Sequence, residues 1–139
     1  MSFRLIREDD YDKDIFSLYN QLSPSPMVTR QYFNNFINSL NTDHNIYVSE
    51  EDNKIVACAT FIIESKLIRG GSRIMHIEDV VVDASFRGNG LGYKIVKFLA
   101  EKAKDMECYK VILNCSDEYI KFYTKAGFSH KGYLMALYR

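Results

Sequence analysis

Three glycines in five residues, Gly88, Gly90 and Gly92, separate a strand-like stretch from a helix-like one. The chain has only 7 glycines in 139 residues, so this run is a local concentration of bare backbone. A glycine-rich turn at a helix N-terminus directs several N–H groups at one point, where the helix dipole adds partial positive charge. Such turns bind phosphate with few basic side chains. The run therefore predicts a phosphate-binding loop, because a tight turn would need only one of the three glycines.

Two common nucleotide-binding motifs fit this loop poorly. A P-loop ends in glycine, lysine and then serine or threonine, whereas Tyr93 follows Gly92. A dinucleotide fingerprint places a glycine near the position of Tyr93 and opens its domain, whereas several predicted elements precede the loop here. The missing lysine argues against a nucleotide-binding regulatory domain, which stays an alternative.

Composition and charge restrict the partners of the chain. It carries 18 basic and 18 acidic residues, so it lacks the basic excess typical of proteins that bind nucleic acid or anionic membranes. Three cysteines at irregular spacing predict no disulfide framework, and three histidines show no metal-ligand spacing, so we expect no metal. The N-terminus has no apolar leader segment. We expect one cytoplasmic domain over residues 1–139.

Hydrophobic periodicity and turn residues predict the element order β-α-α-β-β-β-α-β-α-β. The predicted strands are residues 3–7, 46–49, 55–63, 74–82, 109–113 and 132–138, and the helices start near Asp9 or Asp10, Thr29, Leu91 and Ser116 or Asp117. Asp52 and Asn53 predict a hairpin turn, and Gly127 predicts a helix stop. The helix after the glycine loop connects two neighbouring parallel strands. The fold class is therefore α/β (mixed α+β), with a central mixed sheet flanked by helices.

The loop pattern Arg87-x-x-Gly90-x-Gly92, directly after an apolar strand, resembles the acetyl-CoA pyrophosphate loop of the GCN5-related N-acetyltransferase (GNAT) superfamily. Three segments narrow the resemblance to the glucosamine 6-phosphate N-acetyltransferase family. They are His76-Ile77-Glu78-Asp79-Val80-Val81-Val82, Cys108-Tyr109-Lys110-Val111-Ile112-Leu113, and Phe122-Tyr123-x-Lys125-x-Gly127-Phe128. This similarity runs from about residue 63 to residue 139 and is looser before that.

The resemblance implies an activity and partners. The acetyl group of acetyl-CoA passes to the 2-amino group of D-glucosamine 6-phosphate, by direct attack in a ternary complex. No metal takes part, and the family commonly forms homodimers whose acceptor sites draw residues from both subunits. Acetylation of another small amine or a peptide amine stays an alternative, as does a non-catalytic acyl-CoA-binding module.

The resemblance also assigns residues to the acetyl-CoA site. The strand Asp79, Val80, Val81 and Val82 pairs with the pantetheine arm through its backbone, and the loop Arg87, Gly88, Asn89, Gly90, Leu91 and Gly92 holds the pyrophosphate. Tyr123 falls at the position of a tyrosine that donates to the thiolate, although core packing is the alternative. Tyr119 occupies a position near the pantetheine that is commonly asparagine in the family.

The acceptor site takes its residues from several segments. The resemblance assigns Ser23, Lys66, Arg69, Asn114 and Arg139 to it, and Glu78 is added because it interrupts an apolar strand. The alternatives are a turn residue at Ser23, a solvated basic hairpin at Lys66 and Arg69, and a strand-end contact with solvent or a subunit partner at Glu78. Glu78 is expected to contact the amine electrostatically or to act as its base through a water. Because neighbouring strand residues alternate between faces, Glu78 and Asp79 are expected to point to opposite sides of the sheet.

The sequence departs from the family at three acceptor and donor positions. Asn114 stands where the family usually has an acidic residue, and Tyr119 replaces the usual asparagine. The substrate-binding arginine of the family aligns with Tyr138, so Arg139 lies one residue late. Cys115, next to Asn114, is expected to be a buried strand thiol rather than a nucleophile, because no histidine is placed to activate it.

Overall fold

Five strands form one mixed sheet whose spatial order follows the chain, from β1 to β5. The computed structural model describes residues 1–139. The strands are β1 Arg4–Leu5, β2 His44–Glu51, β3 Lys54–Ser65, β4 Arg73–Val82 and β5 Lys110–Ile112. The helices are α1 Ile15–Asn20, α2 Arg30–Ser39, the four-residue α3 Ile68–Gly71, α4 Leu91–Asp105 and α5 Ile120–Lys125. Short 3₁₀ turns lie at Glu8–Asp12, Ala84–Phe86 and Asp117–Tyr119. This mixed sheet with flanking helices confirms the predicted fold class.

The strand directions follow from the connections. β1 to β4 are antiparallel neighbours, whereas β5 pairs with β4 in parallel after the α4 crossover. Asp52 and Asn53 both have positive φ, 50° and 61°, as the tight β2–β3 hairpin requires. Thr29 caps α2 by accepting a hydrogen bond from the Tyr32 N–H at 3.1 Å. The predicted hairpin and this cap are therefore confirmed.

Helices cover both faces of the sheet. On one face, Ile95, Val96 and Leu99 of α4 are fully buried in one cluster with Met75 and Ala59. On the other face, α1 and α2 bury their apolar residues against β2 and β3 in a second cluster. Each helix thus buries one stripe against alternating strand residues, which is the layered solution expected for such a pattern.

The first predicted helix is interrupted. A 3₁₀ turn is followed by α1, and Asp14 between them has a left-handed backbone with φ 57°. Asp10 does not cap a long helix. Its buried carboxylate instead accepts hydrogen bonds from Arg4 and from the Arg7 N–H.

The predicted last strand, residues 132–138, does not form. The segment has no strand partner in the chain, and its apolar side chains are exposed, with Tyr133 at 94% and Met135 at 91%. A strand needs a neighbouring strand for its hydrogen bonds, which the sequence pattern alone does not supply. No helix combines the length and apolar character needed to cross a membrane.

An ion network ties β1 to the first turn. Arg4 binds the fully buried Asp10 with two nitrogens, at 2.8 and 2.9 Å, and also reaches Glu50 at 2.6 Å. Lys13 lies within 3.5 Å of Asp10. Burial opposes ionisation of Asp10, but the bonds from Arg4 and the Arg7 N–H outweigh it, and the pKa of Asp10 is lowered.

Asp10→Asn should destabilise the protein by about 3 kcal/mol, because it leaves the positive charges of Arg4 and Lys13 without their buried partner. Urea unfolding measures this loss. Since the folded pKa of Asp10 is depressed, its contribution is complete above about pH 4 and declines as the pH falls through the folded pKa. Asp9→Asn, in the same turn but 61% exposed, serves as control and should change stability far less than Asp10→Asn. Equal effects of the two variants would contradict the role of Asp10.

Candidate active site

The strands β4 and β5 separate along their length. They are paired only from Ile74 to His76, opposite residues 110–112. Beyond His76 the β5-facing edge of β4 has no strand partner, so the backbone groups of residues 77–82 on that edge are open. An extended ligand can add to such an edge through main-chain hydrogen bonds.

A β-bulge interrupts β4 in the middle of this open stretch. Thr60 of β3 pairs with Glu78 and Cys58 pairs with Val81, so two β4 residues lie opposite the single residue Ala59. Asp79 in the bulge has φ 50°. A bulge breaks the alternation of strand side chains and redirects them. Glu78 and Asp79 therefore line the same cavity, and the expectation that they face opposite sides of the sheet was wrong.

The glycine loop continues from the C-terminal end of β4. Gly88 and Gly90 have φ 85° and 77°, which explains two of the three glycines. At Gly92 a Cβ would come within 3.4 Å of the Phe122 ring and 3.5 Å of Val82, so close packing explains the third. The first backbone bond of α4 runs from the Lys94 N–H to the Gly90 carbonyl. The N–H groups of residues 88–93 have no acceptor within the chain.

Arg87 is already oriented beside these free N–H groups. Its Nε donates to the Val82 carbonyl at 2.9 Å, and its side chain is exposed. One cation and a set of unpaired amides at a helix N-terminus can receive a phosphorylated ligand. The site adjoins the open edge of β4, so one elongated ligand can use both features.

Tyr123 lines a cavity of about 680 Å³ between β5, α5 and the C-terminal segment. Its ring packs edge-on against Phe122 and Phe128, with centroids 4.9 and 5.9 Å away. Burial, with smaller contributions from Cys115 and Tyr119, raises the pKa of the Tyr123 phenol. The phenol therefore keeps its proton at neutral pH and is available as a donor.

A second cavity, of about 430 Å³, lies between α1, α2 and the sheet. Glu78 and Asp79 line it together with Tyr19, Thr60 and several apolar side chains. Burial first, then nearby Cys58 and Asp79, raises the pKa of Tyr19. Two carboxylates in an otherwise mainly apolar cavity can receive a cationic or hydroxylated ligand.

Comparisons with known proteins give the family of this chain. A model of the acetyltransferase (GNAT) family matches residues 9–128. The chain belongs to the GNAT acetyltransferase family. It is 43% identical to the glucosamine 6-phosphate N-acetyltransferase of Arabidopsis thaliana, over 97% of this chain and 94% of that one. It is 42% identical to glucosamine 6-phosphate N-acetyltransferase 1 of Oryza sativa subsp. japonica, over 93% of this chain and 81% of that one.

A solved crystal structure shares the fold of this chain. The crystal structure of the Arabidopsis thaliana enzyme superposes with a TM-score of 0.93, at 42% identity, and covers 99% of this chain and 97% of that one. GNAT acetyltransferases use acetyl-CoA.

The cations predicted for the acceptor lie away from Glu78. Lys66 faces Glu64 at 3.7 Å, and the guanidinium of Arg69 lies 5.2 Å from the centre of the Tyr109 ring. Both lie in the connection between β3 and β4, next to the first residue of β4, Arg73. Glu78 lies five residues further along β4, a distance of roughly 17 Å at the rise of a strand. Within a single chain these cations therefore lie far from the carboxylates of the second cavity.

The remaining predicted acceptor residues are also dispersed. Ser23 is exposed in the loop after α1, and Asn114 lines the cavity of Tyr123. Arg139 is exposed at the chain end and has no partner in the chain. Cys115 follows β5 and is exposed, so the expectation of a buried strand thiol was wrong for this residue. Cys58 is the buried one, and burial raises its pKa to about 12.

Two site residues were not found from the sequence. The carboxylate of Asp83 is buried and accepts hydrogen bonds from the N–H and hydroxyl of Ser85 and from Gln21, which lowers its pKa to about 2. Its place two residues before a serine is a recognisable capping pattern. Gln21 is 62 residues away in the chain, and no local pattern marks it.

Proposed function

We propose that this chain transfers the acetyl group of acetyl-CoA to the 2-amino group of D-glucosamine 6-phosphate. The observation that supports the donor is the set of free N–H groups at residues 88–93, which continues the open edge of β4. The choice of acceptor is supported by the relatives, which carry the name glucosamine 6-phosphate N-acetyltransferase at 42–43% identity.

The donor site fits the chemistry of acetyl-CoA. Arg87 and the amides from Gly88 to Gly92, among them those of Asn89 and Leu91, suit a pyrophosphate. Main-chain groups of Val80, Val81 and Val82 suit an amide-containing pantetheine arm. A strand N–H in this stretch can also polarise the thioester carbonyl as negative charge develops on its oxygen.

The reaction then needs an uncharged amine and a proton for the leaving group. The amine nitrogen attacks the thioester carbonyl, the new C–N bond forms and the C–S bond breaks. Glu78 accepts the proton that the amine loses, through a bridging water, and Tyr123 donates its phenolic proton to the departing thiolate. Solvent takes the proton from Glu78 and restores the proton of Tyr123, so atoms and charges balance.

The acceptor site is proposed to form between two copies of the chain. The exposed apolar residues of segment 133–138 flank β5, an edge strand with no partner on its outer side. Apolar side chains this exposed in a contiguous segment mark an interaction surface. A second copy would bury the segment and could bring Arg139, Lys66 and Arg69 of one chain toward the carboxylates of the other.

Acetylation is tested by thiol release from acetyl-CoA with glucosamine 6-phosphate, glucosamine and a lysine peptide as acceptors. We expect kcat/KM for the phosphorylated sugar to exceed that for glucosamine by at least about 100-fold, since charge-assisted hydrogen bonds to the phosphate are lost with glucosamine. Faster turnover of the peptide would indicate another acceptor. Acetyl-CoA binding without turnover of any amine would indicate a non-catalytic binding module.

Tyr123→Phe should lower kcat by about 100-fold, because the thiolate then leaves without its proton donor. The dissociation constant of acetyl-CoA should stay within about twofold, since the ring and its packing remain. Steady-state kinetics and calorimetric titration separate the two effects. Tyr109→Phe, an exposed tyrosine outside the cavity, is the matched control. An unchanged kcat in Tyr123→Phe would remove this residue from the mechanism.

Truncation after Lys131 should convert a dimer into a monomer, because it deletes the apolar segment proposed to lie between two copies. Light scattering coupled to size-exclusion chromatography gives the mass of each form. The triple variant Leu134→Ser/Met135→Ser/Leu137→Ser keeps the length of the chain and should also be monomeric. A full-length chain that is monomeric at assay concentration would overturn the two-copy site.

A further inference from the structure

Gln21 bridges two segments that the family resemblance assigns to different substrates. It lies directly after α1, and its side-chain amide reaches residues 83–87, which join β4 to the glycine loop. Nε2 donates to Asp83 Oδ2 at 3.0 Å, while Oε1 accepts from the Ala84 N–H at 2.8 Å and from Arg87 at 3.4 Å. One side chain therefore joins the end of α1 to the entry of the phosphate loop.

The groups that hold Gln21 are themselves fixed. Asp83 is buried, its N–H donates to the Val56 carbonyl at 2.8 Å, and its carboxylate accepts from the Ser85 N–H at 2.9 Å. Arg87 is held by the Val82 carbonyl at 2.9 Å. Both ends of the Gln21 amide thus meet partners whose positions are set by β3 and β4. An amide held at both ends has little rotational freedom.

On its C-terminal side, Gln21 is followed by the loop that contains Ser23. The N–H groups of Leu22 and Ser23 both donate to the Tyr19 carbonyl, at 2.9 and 3.0 Å, so the backbone from Gln21 to Ser23 is one hydrogen-bonded turn. Fixing Gln21 therefore fixes Ser23, which the family resemblance assigns to the amino-sugar site. A shift of Arg87 or Asp83 would move this turn.

We propose that Gln21 is a positioning residue that couples the acetyl-CoA site to the amino-sugar site. This inference rests on the proposed roles of Arg87 and Ser23. When the pyrophosphate is held by Arg87 and the loop amides, the bridge through Gln21 holds the turn at Ser23 in its binding geometry. Each substrate then raises the affinity for the other by the same factor, as linkage requires.

The test measures this factor by calorimetry, as the ratio of CoA dissociation constants without and with saturating glucosamine 6-phosphate. We expect about 5-fold or more for the unmodified chain, at the lower end of ordinary allosteric coupling. Gln21→Met keeps the length of the side chain but removes all three contacts, and should bring the ratio within about 1.5-fold of unity. Gln21→Glu should do the same, because two carboxylates would then meet at the position of the present 3.0 Å hydrogen bond.

A second substitution separates coupling from folding. In the double variant Gln21→Glu/Asp83→Asn, the new amide at position 83 can donate to the new carboxylate, which still accepts from the Ala84 N–H and Arg87. The double variant should recover the coupling ratio. A thermal melt of each variant confirms that it is folded. A structural role alone would change the melting temperature and leave the ratio intact.

Asn20→Ala is the matched control, because the hydrogen bonds of the Asn20 amide are local. Its partners are the Phe16 carbonyl in α1 and the carbonyl and N–H of Ser25 in the loop that follows. It should raise KM for the sugar without changing the coupling ratio. A ratio near unity in the unmodified chain, or an unchanged ratio in Gln21→Met, would overturn the inference. Failure of the proposed function is distinguishable, since an unmodified chain that does not acetylate glucosamine 6-phosphate fails before any variant is made.

Discussion

The short pairing between β4 and β5 is the constraint on which the candidate site depends. Because β5 is a strand of only three residues, β4 keeps an open edge from residue 77 onward. β3 holds the opposite edge of β4 in a long antiparallel ladder, so the open edge is rigid although it is unpaired. A rigid, unpaired strand edge binds an extended ligand at low entropic cost, because its own groups are already ordered.

Backbone strain is concentrated at the same end of β4. Asp79 is a non-glycine residue with φ 50°, and the loop that follows has two glycines at positive φ. An aspartate in this region costs of order 1 kcal/mol, and such positions persist only where the surrounding structure enforces them. Here the ladder to β3 continues on both sides of the bulge. The strain redirects Glu78 and Asp79 into one cavity, which a regular strand would not do.

Sequence predicted the features that depend on local periodicity. The helix α4 has a clear apolar stripe, and the loop before it has three glycines. The sequence therefore predicted both the helix and the loop with nearly correct bounds. The bulge was missed because one extra residue changes pairing without changing composition. The strand at residues 132–138 was predicted from its apolar residues, yet the segment pairs with no strand of the chain. Gln21 acts across 62 residues through a single side chain, which no periodicity records.

The balance of acidic and basic residues explains why the positioning of binding groups by Gln21 matters in this chain. Net charge is zero, so no long-range field concentrates anionic ligands at the site. Three of the cations are already held by partners within the chain. Arg73 pairs with Asp43 at 2.8 Å, Lys66 faces Glu64, and Arg87 is held by a carbonyl. Recognition of the phosphates of the proposed substrates would therefore come from neutral amides and a few oriented cations. That mode of binding gains from exact placement rather than from the number of charges, so a neutral bridge such as Gln21 can influence affinity without touching a ligand.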